Sequence, residues 1–133
     1  PVAIQSKCLI DPECGVDTRA TVILEFSGNR TASIQSGFDS FAGQGAALFG
    51  TEAAIDIPTP YHPQEKSNFV IRTRDAEKII SFENGVPPFT PAIEHFHDCI
   101  IDGAKPLYNA SNAAGTLNVI ETILSDTLME LNS

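Results

Sequence analysis

Ala20-Thr21-Val22-Ile23-Leu24-Glu25-Phe26-Ser27-Gly28-Asn29 is the stretch on which the fold turns. Strand side chains alternate between two faces, so Val22, Leu24 and Phe26 share one face while Thr21, Ile23 and Glu25 share the other. Ser27-Gly28-Asn29 is a short connection containing glycine. Beyond it Ala32, Ile34 and Phe38 alternate with Thr31, Ser33 and Gln35, which predicts a β-hairpin. Its mixed face suits an antiparallel sheet with one side packed and the other partly polar or used for contact.

Outward from the hairpin, Val2 to Ile10 reads as an extended segment, punctuated by the turn chemistry of Asp11-Pro12-Glu13-Cys14-Gly15. Residues 46–49 and 54–57 are short strand candidates around Gly50-Thr51. Pro58 and Pro60 end the second, because proline cannot donate to a ladder. Tyr61 to Lys66 is a polar loop, Phe69 to Thr73 and Lys78 to Phe82 form another hairpin, and residues 84–88 break the sheet. Six or seven strands thus precede any long helix.

Phe89, Ile93, Phe96 and Ile100 then recur at helical spacing, with Pro91 tolerated in the first turn and Gly103 ending the helix. Asn109 or Ser111 can cap a second helix, whose stripe is Ala113, Leu117, Ile120, Leu124, Leu128 and Leu131. Val119 and Ile123 lie outside that stripe and widen the apolar arc. Strands first and helices last predict an α+β layer structure, since a parallel α/β fold would interleave them.

At 133 residues the chain fits one domain, residues 1–133, with one ordinary core. Eight Lys and Arg against seventeen Asp and Glu give a net charge of −9. Such a surface repels phosphate backbones, so nucleic acid is not an expected partner. No run approaches the ~20 apolar residues that span a bilayer, and a membrane is not expected either. Pro1 in place of Met, with no signal segment, suggests an excised piece and a cytoplasmic setting. Cys8, Cys14 and Cys99 form an odd set with no Cys-x-x-Cys pair, which reads as buried or free thiols rather than a disulfide framework or zinc ribbon.

The motifs that carry chemistry are sparse. Gly43-Gln44-Gly45-Ala46-Ala47-Leu48 begins like a dinucleotide fingerprint but lacks the third glycine and a following βαβ unit. His95 and His97 point about 160° apart on a helical wheel and cannot share an ion. His95 and Cys99 share a face, yet two ligands close no zinc site. Glu94 and Asp98 share a helix edge, where a solvated polar face is expected. No Gly-x-Ser-x-Gly elbow or base-orienter set proposes a nucleophile, so no catalytic and no metal residue is nominated.

Over residues 15–131 the order of parts resembles the C-terminal domain of the glucose-fructose oxidoreductase/inositol dehydrogenase (Gfo/Idh/MocA) family. Gly15-Val16-Asp17 with Ala20 to Phe26 and the Ser27-Gly28-Asn29 turn is similar to the family's opening hairpin. Gly50-Thr51-Glu52-Ala53-Ala54-Ile55-Asp56-Ile57-Pro58 is similar to its Gly-Thr-x-Gly-x-Ile-x-Ile strand pair, with Ala53 where a second glycine is usual. Pro88-Phe89 leading into Ile93 to Gly103, Pro106 and the helix from Ala113 resembles the closing segment.

The resemblance implies an open, predominantly antiparallel sheet of about six strands with the two C-terminal helices on one face. It implies a missing N-terminal Rossmann domain that binds NAD or NADP, and hydride transfer with a sugar, polyol or related alcohol at the domain boundary. A homo-oligomer through the sheet face is implied as well. Within this chain it implies no cofactor site, and a substrate wall of Phe89, Pro88 and Tyr61. The family's Glu-Lys-Pro and Asp-x-x-x-His motifs have no counterpart; Glu65-Lys66-Ser67 only echoes the first. Two rival readings are a stand-alone binding module lacking the nucleotide domain and, last, a small hydrolase.

Overall fold

The computed structural model describes residues 1–39, 41, 43–61, 66–83, 85–87 and 89–131, without the side chains of 126 and 128–131. Among the described residues the architecture is α+β, with seven strands, all paired antiparallel, preceding two helices. The strands are β1 (Ala3–Ile10), β2 (Asp17–Phe26), β3 (Arg30–Gly37), β4 (Ala46–Phe49), β5 (Ala54–Ile57), β6 (Lys66–Arg72) and β7 (Glu77–Glu83); the helices are α1 (Thr90–Ile101) and α2 (Ala110–Leu131). They hydrogen-bond as two ladders, β1-β2-β3 and β4-β5-β6-β7. The chain divides into two compact units, one formed by Pro1–Ala42 with Leu107–Ser133 and the other by Gly43–Pro106. Among the described residues no helix is long and apolar enough to cross a membrane.

The first unit is built on the hairpin that the period-two pattern predicts. Val22 stands opposite Ser6 and Ile34, and Leu24 opposite Ile4 and Ala32, so the inward face is continuous across all three strands. Cys8, Val22 and Leu24 are buried there. Full burial of a side chain the size of Val22 or Leu24 contributes roughly 1.5–3 kcal/mol. The opposite face presents Gln5, Lys7, Thr21, Glu25 and Ser33, with Leu9 and Ile23 as large apolar exceptions. The β2–β3 turn closes because Gly28 (φ 77°) and Asn29 (φ 57°) both take the left-handed conformation that a tight hairpin demands of its central residues.

Helix α2 packs on β1. Asn109 caps it reciprocally: its Oδ1 accepts from the N–H of Ser111 (2.9 Å) and Asn112 (3.2 Å), and its own N–H donates to Asn112 Oδ1 (3.1 Å). The inward arc is rotated from the sequence stripe. Ile123 and Leu124 are half-buried, whereas Ala113 and Leu117 are exposed; the side chains of Leu128 and Leu131 lie outside the described residues. A polar pair completes the docking. Ser6 Oγ donates to the Ile123 carbonyl (3.2 Å), and the Cys8 N–H donates to Thr127 Oγ1 (3.2 Å).

In the second unit, residue parity places Leu48, Ile55, Phe69, Ile80 and Phe82 on one sheet face. Phe69 and Phe82 meet diagonally across β6 and β7, with ring centroids 6.2 Å apart and planes tilted by 53°. The other face carries Arg72, which pairs with Asp56 and, at 2.9 Å, with Glu77. Pro91 sits in the first turn of α1, as its lack of an N–H allows. Gly103 (φ 68°) lets the chain fold back after it, so that the Ala104 N–H reaches the Asp98 carbonyl at 3.2 Å. The apolar stripe of α1 is open: Ile93, Phe96 and Ile100 are all more than 60% exposed.

Candidate functional site

Two of the three residues expected to form a substrate wall are described, and both belong to the second unit. Phe89 is the N-cap of α1, exposed, with no side-chain cap of its own. Tyr61 follows β5 on a different loop, also exposed, and its backbone N–H donates to Gln44 Oε1 at 3.3 Å. Pro88 lies outside the described residues. Neither ring is held by burial.

A better-formed concavity lies in the first unit, between the inward sheet face and the N-terminal half of α2. It has a volume of about 780 Å³, within the range typical of small-molecule sites. Val22, Leu24 and Ile34 line it from the sheet; Val119, Ile120 and Ile123 line it from the helix. Polar groups are few: Asp17, Ser36, Ser111, Asn112 and Thr116. The room comes from small helix residues. A Cβ added at Gly115 would meet nothing within 4 Å, so glycine is not there to permit a close approach. The sequence reading nominates none of these as site residues, although a glycine inside an otherwise apolar helix was the available signal, since it costs about 1 kcal/mol relative to alanine.

The remaining titratable clusters have simpler roles. Cys99 Sγ lies 3.6 Å from His95 Nε2 on one face of α1, the i, i+4 relation expected of them. Glu94 and Asp98 are exposed, as a solvated polar edge requires. Asp11 organises the β1–β2 connection: its Oδ1 accepts from the N–H of Glu13 (2.7 Å) and of Cys14 (3.2 Å). These backbone donors hold its carboxyl below the ordinary aspartate range, the bond from Glu13 contributing most.

Gly43-Gln44-Gly45 runs directly into strand β4, so it offers no helix N-terminus to a pyrophosphate. Helix α1 starts behind Pro87 and Phe89, and α2 satisfies its first amides with its own asparagines.

No family model matches the chain. It is similar to two curated proteins, the trans-1,2-dihydrobenzene-1,2-diol dehydrogenases of Xenopus tropicalis, at 25% identity, and of Xenopus laevis, at 26%. Each likeness extends over 128 residues and 90% of this chain, but the chain spans only 37% of the length of either relative. What it shares with them is therefore a distant likeness to one portion of two proteins named as cyclic-diol dehydrogenases.

Proposed function

We propose that this chain is the substrate-side and self-association portion of an NAD- or NADP-dependent oxidoreductase acting on a sugar, polyol or related ring alcohol in the cytoplasm. The nucleotide-binding Rossmann domain and the acid–base group would belong to a companion portion. The observation that carries this reading is the likeness, over 90% of the chain, to dehydrogenases of which it spans only 37%. The run of Gly43-Gln44-Gly45 into strand β4, where a dinucleotide fingerprint would open a helix, agrees with the same division of labour. In it Phe89, with Pro88 preceding it in sequence, and Tyr61 offer apolar surface to the C–H face of a ring alcohol. The apolar face of β4–β7, with Leu48 54% and Phe82 44% exposed, supplies a surface for self-association.

The test is turnover. The isolated chain with nicotinamide cofactor and ring alcohols is expected to show none, while the longest product of its gene oxidises them with cofactor reduction. Robust turnover by the chain alone, or none by the longer product, overturns the proposal. A second reading, a binding module that works without a nucleotide domain, is favoured by one observation: the concavity of about 780 Å³ is lined by both the β1–β3 sheet and α2 within the first unit. Alcohol binding without turnover by the longer product would select it.

A further inference from the structure

We propose that Gln44 is a positioning residue for the substrate wall: its side-chain amide holds the backbone of Tyr61 and so fixes where that ring stands. The wall itself rests on the reading above, whereas Gln44 is assigned from the chain around it. β4 and β5 begin their ladder at the rung Ala46↔Ile57, and the same register carried outward would set Gln44 opposite Thr59. Pro58 and Pro60 prevent that continuation, because neither has an N–H to donate and each holds φ at about −65°. The chain leaving β5 is therefore a stiff strut. Tyr61 carries the first amide beyond its second proline.

That amide donates to Gln44 Oε1 at 3.3 Å, so the side chain makes the link that the backbone ladder cannot. Reach and chemistry both select glutamine. An N–H needs an acceptor, and asparagine, with the same amide, is one methylene shorter. Gly43 and Gly45 flank Gln44, and a Cβ at either would meet nothing within 4 Å, so neither glycine serves a close approach. They leave Gln44 as the only side chain on three successive residues ahead of β4. At 70% exposed, the Tyr61 ring gains little orientation from packing. A side chain leaves its Cα in a direction that the backbone sets, so tying the Tyr61 amide narrows the arc the ring can sweep. The glycine-flanked run that opens no helix for a phosphate thus serves as a clamp on the wall.

The experiment is steady-state kinetics of the longer gene product with nicotinamide cofactor and myo-inositol, D-glucose or trans-cyclohexane-1,2-diol, taking whichever alcohol it oxidises fastest. Gln44→Met and Gln44→Asn should each raise KM for the alcohol about three- to tenfold, the size of one lost neutral hydrogen bond, with kcat and KM for the cofactor unchanged. Gln44→Glu keeps both length and acceptor and should restore the original KM. On a Tyr61→Ala background Gln44→Met should add nothing, since Gln44 acts through that ring. An unchanged alcohol KM in Gln44→Met, or effects that add in full in the double variant, overturns the proposal. In the 133-residue chain alone, hydrogen exchange at the Tyr61 amide should quicken about three- to tenfold in Gln44→Met but not in Gln44→Glu. Unchanged exchange in Gln44→Met overturns the clamp whatever the activity does. The two failures are distinguishable: turnover with an unaltered KM removes the clamp alone, whereas no turnover of any of these alcohols removes the oxidoreductase reading and the wall with it.

Discussion

The amide of Cys8 on β1 and the hydroxyl of Thr127 on α2 are 3.2 Å apart, and Thr127 is only 2% exposed. Among the described residues β1 is an edge strand, and amides on its outer side have no ladder partner there. Thr127 supplies one, and passes the interaction on by donating to the Ile123 carbonyl at 3.3 Å. Replacing it with the near-isosteric Thr127→Val strands a buried donor, which costs about 1–3 kcal/mol. Denaturant unfolding should register that loss and Thr127→Ser should recover most of it; equal stability of the valine variant would show the bond to be of no consequence.

The α2 cap makes a separable contribution. Asn109→Ala removes the acceptor for two helix amides and should lower stability by about 1 kcal/mol. Amide exchange at Ser111 and Asn112 should quicken in this variant, and Asn109→Asp should behave as wild type.

Gly115→Ala is expected to move stability the other way. The added methyl enters open space on a helix, so the gain should approach the full propensity difference of about 1 kcal/mol. A lower melting temperature would mean that the position serves a close contact after all.

Asp11 gives the chain an acid-side pH dependence. Its folded-state pKa lies below its unfolded value, so its contribution is present above the unfolded pKa and is lost as pH falls through the folded one. NMR titration should find the Asp11 carboxyl ionising below the ordinary aspartate range. Asp11→Ala should release the Glu13 and Cys14 amides to fast exchange at neutral pH.

For the proposed substrate wall, Phe89→Ala and Tyr61→Ala in the longer gene product should raise KM with little change in kcat, the pattern of lost uniform binding. Unchanged KM in both would remove these residues from the site.

Much of the fold was legible because alternation is local. The β2–β3 hairpin follows from Val22, Leu24 and Phe26 alone, and the β4 and β5 limits from the glycine and prolines around them. β6 begins at Lys66, before the expected Phe69, because Ser67, a polar residue 8% exposed, pairs with Phe82 and extends the ladder ahead of the apolar run. β7 is likewise one residue longer at each end, Glu77–Glu83, and Lys66 and Glu83 form an ion pair across its last rung at 3.0 Å. In α2 the apolar arc is so wide that periodicity cannot choose which part faces the sheet, and the choice falls to contacts distant in sequence, Ser6 with Ile123 and Cys8 with Thr127. The cavity stayed hidden for the same reason, since its two walls come from opposite ends of the chain.

That last pairing has a consequence during synthesis. Cys8 and Thr127 are 119 positions apart, so at a ribosomal pace of about 5–20 residues per second β1 waits roughly 6–24 s for the helix that covers its edge. Throughout that delay the nascent three-stranded sheet presents a bare strand to other polypeptides, and slower translation of the tail lengthens its exposure.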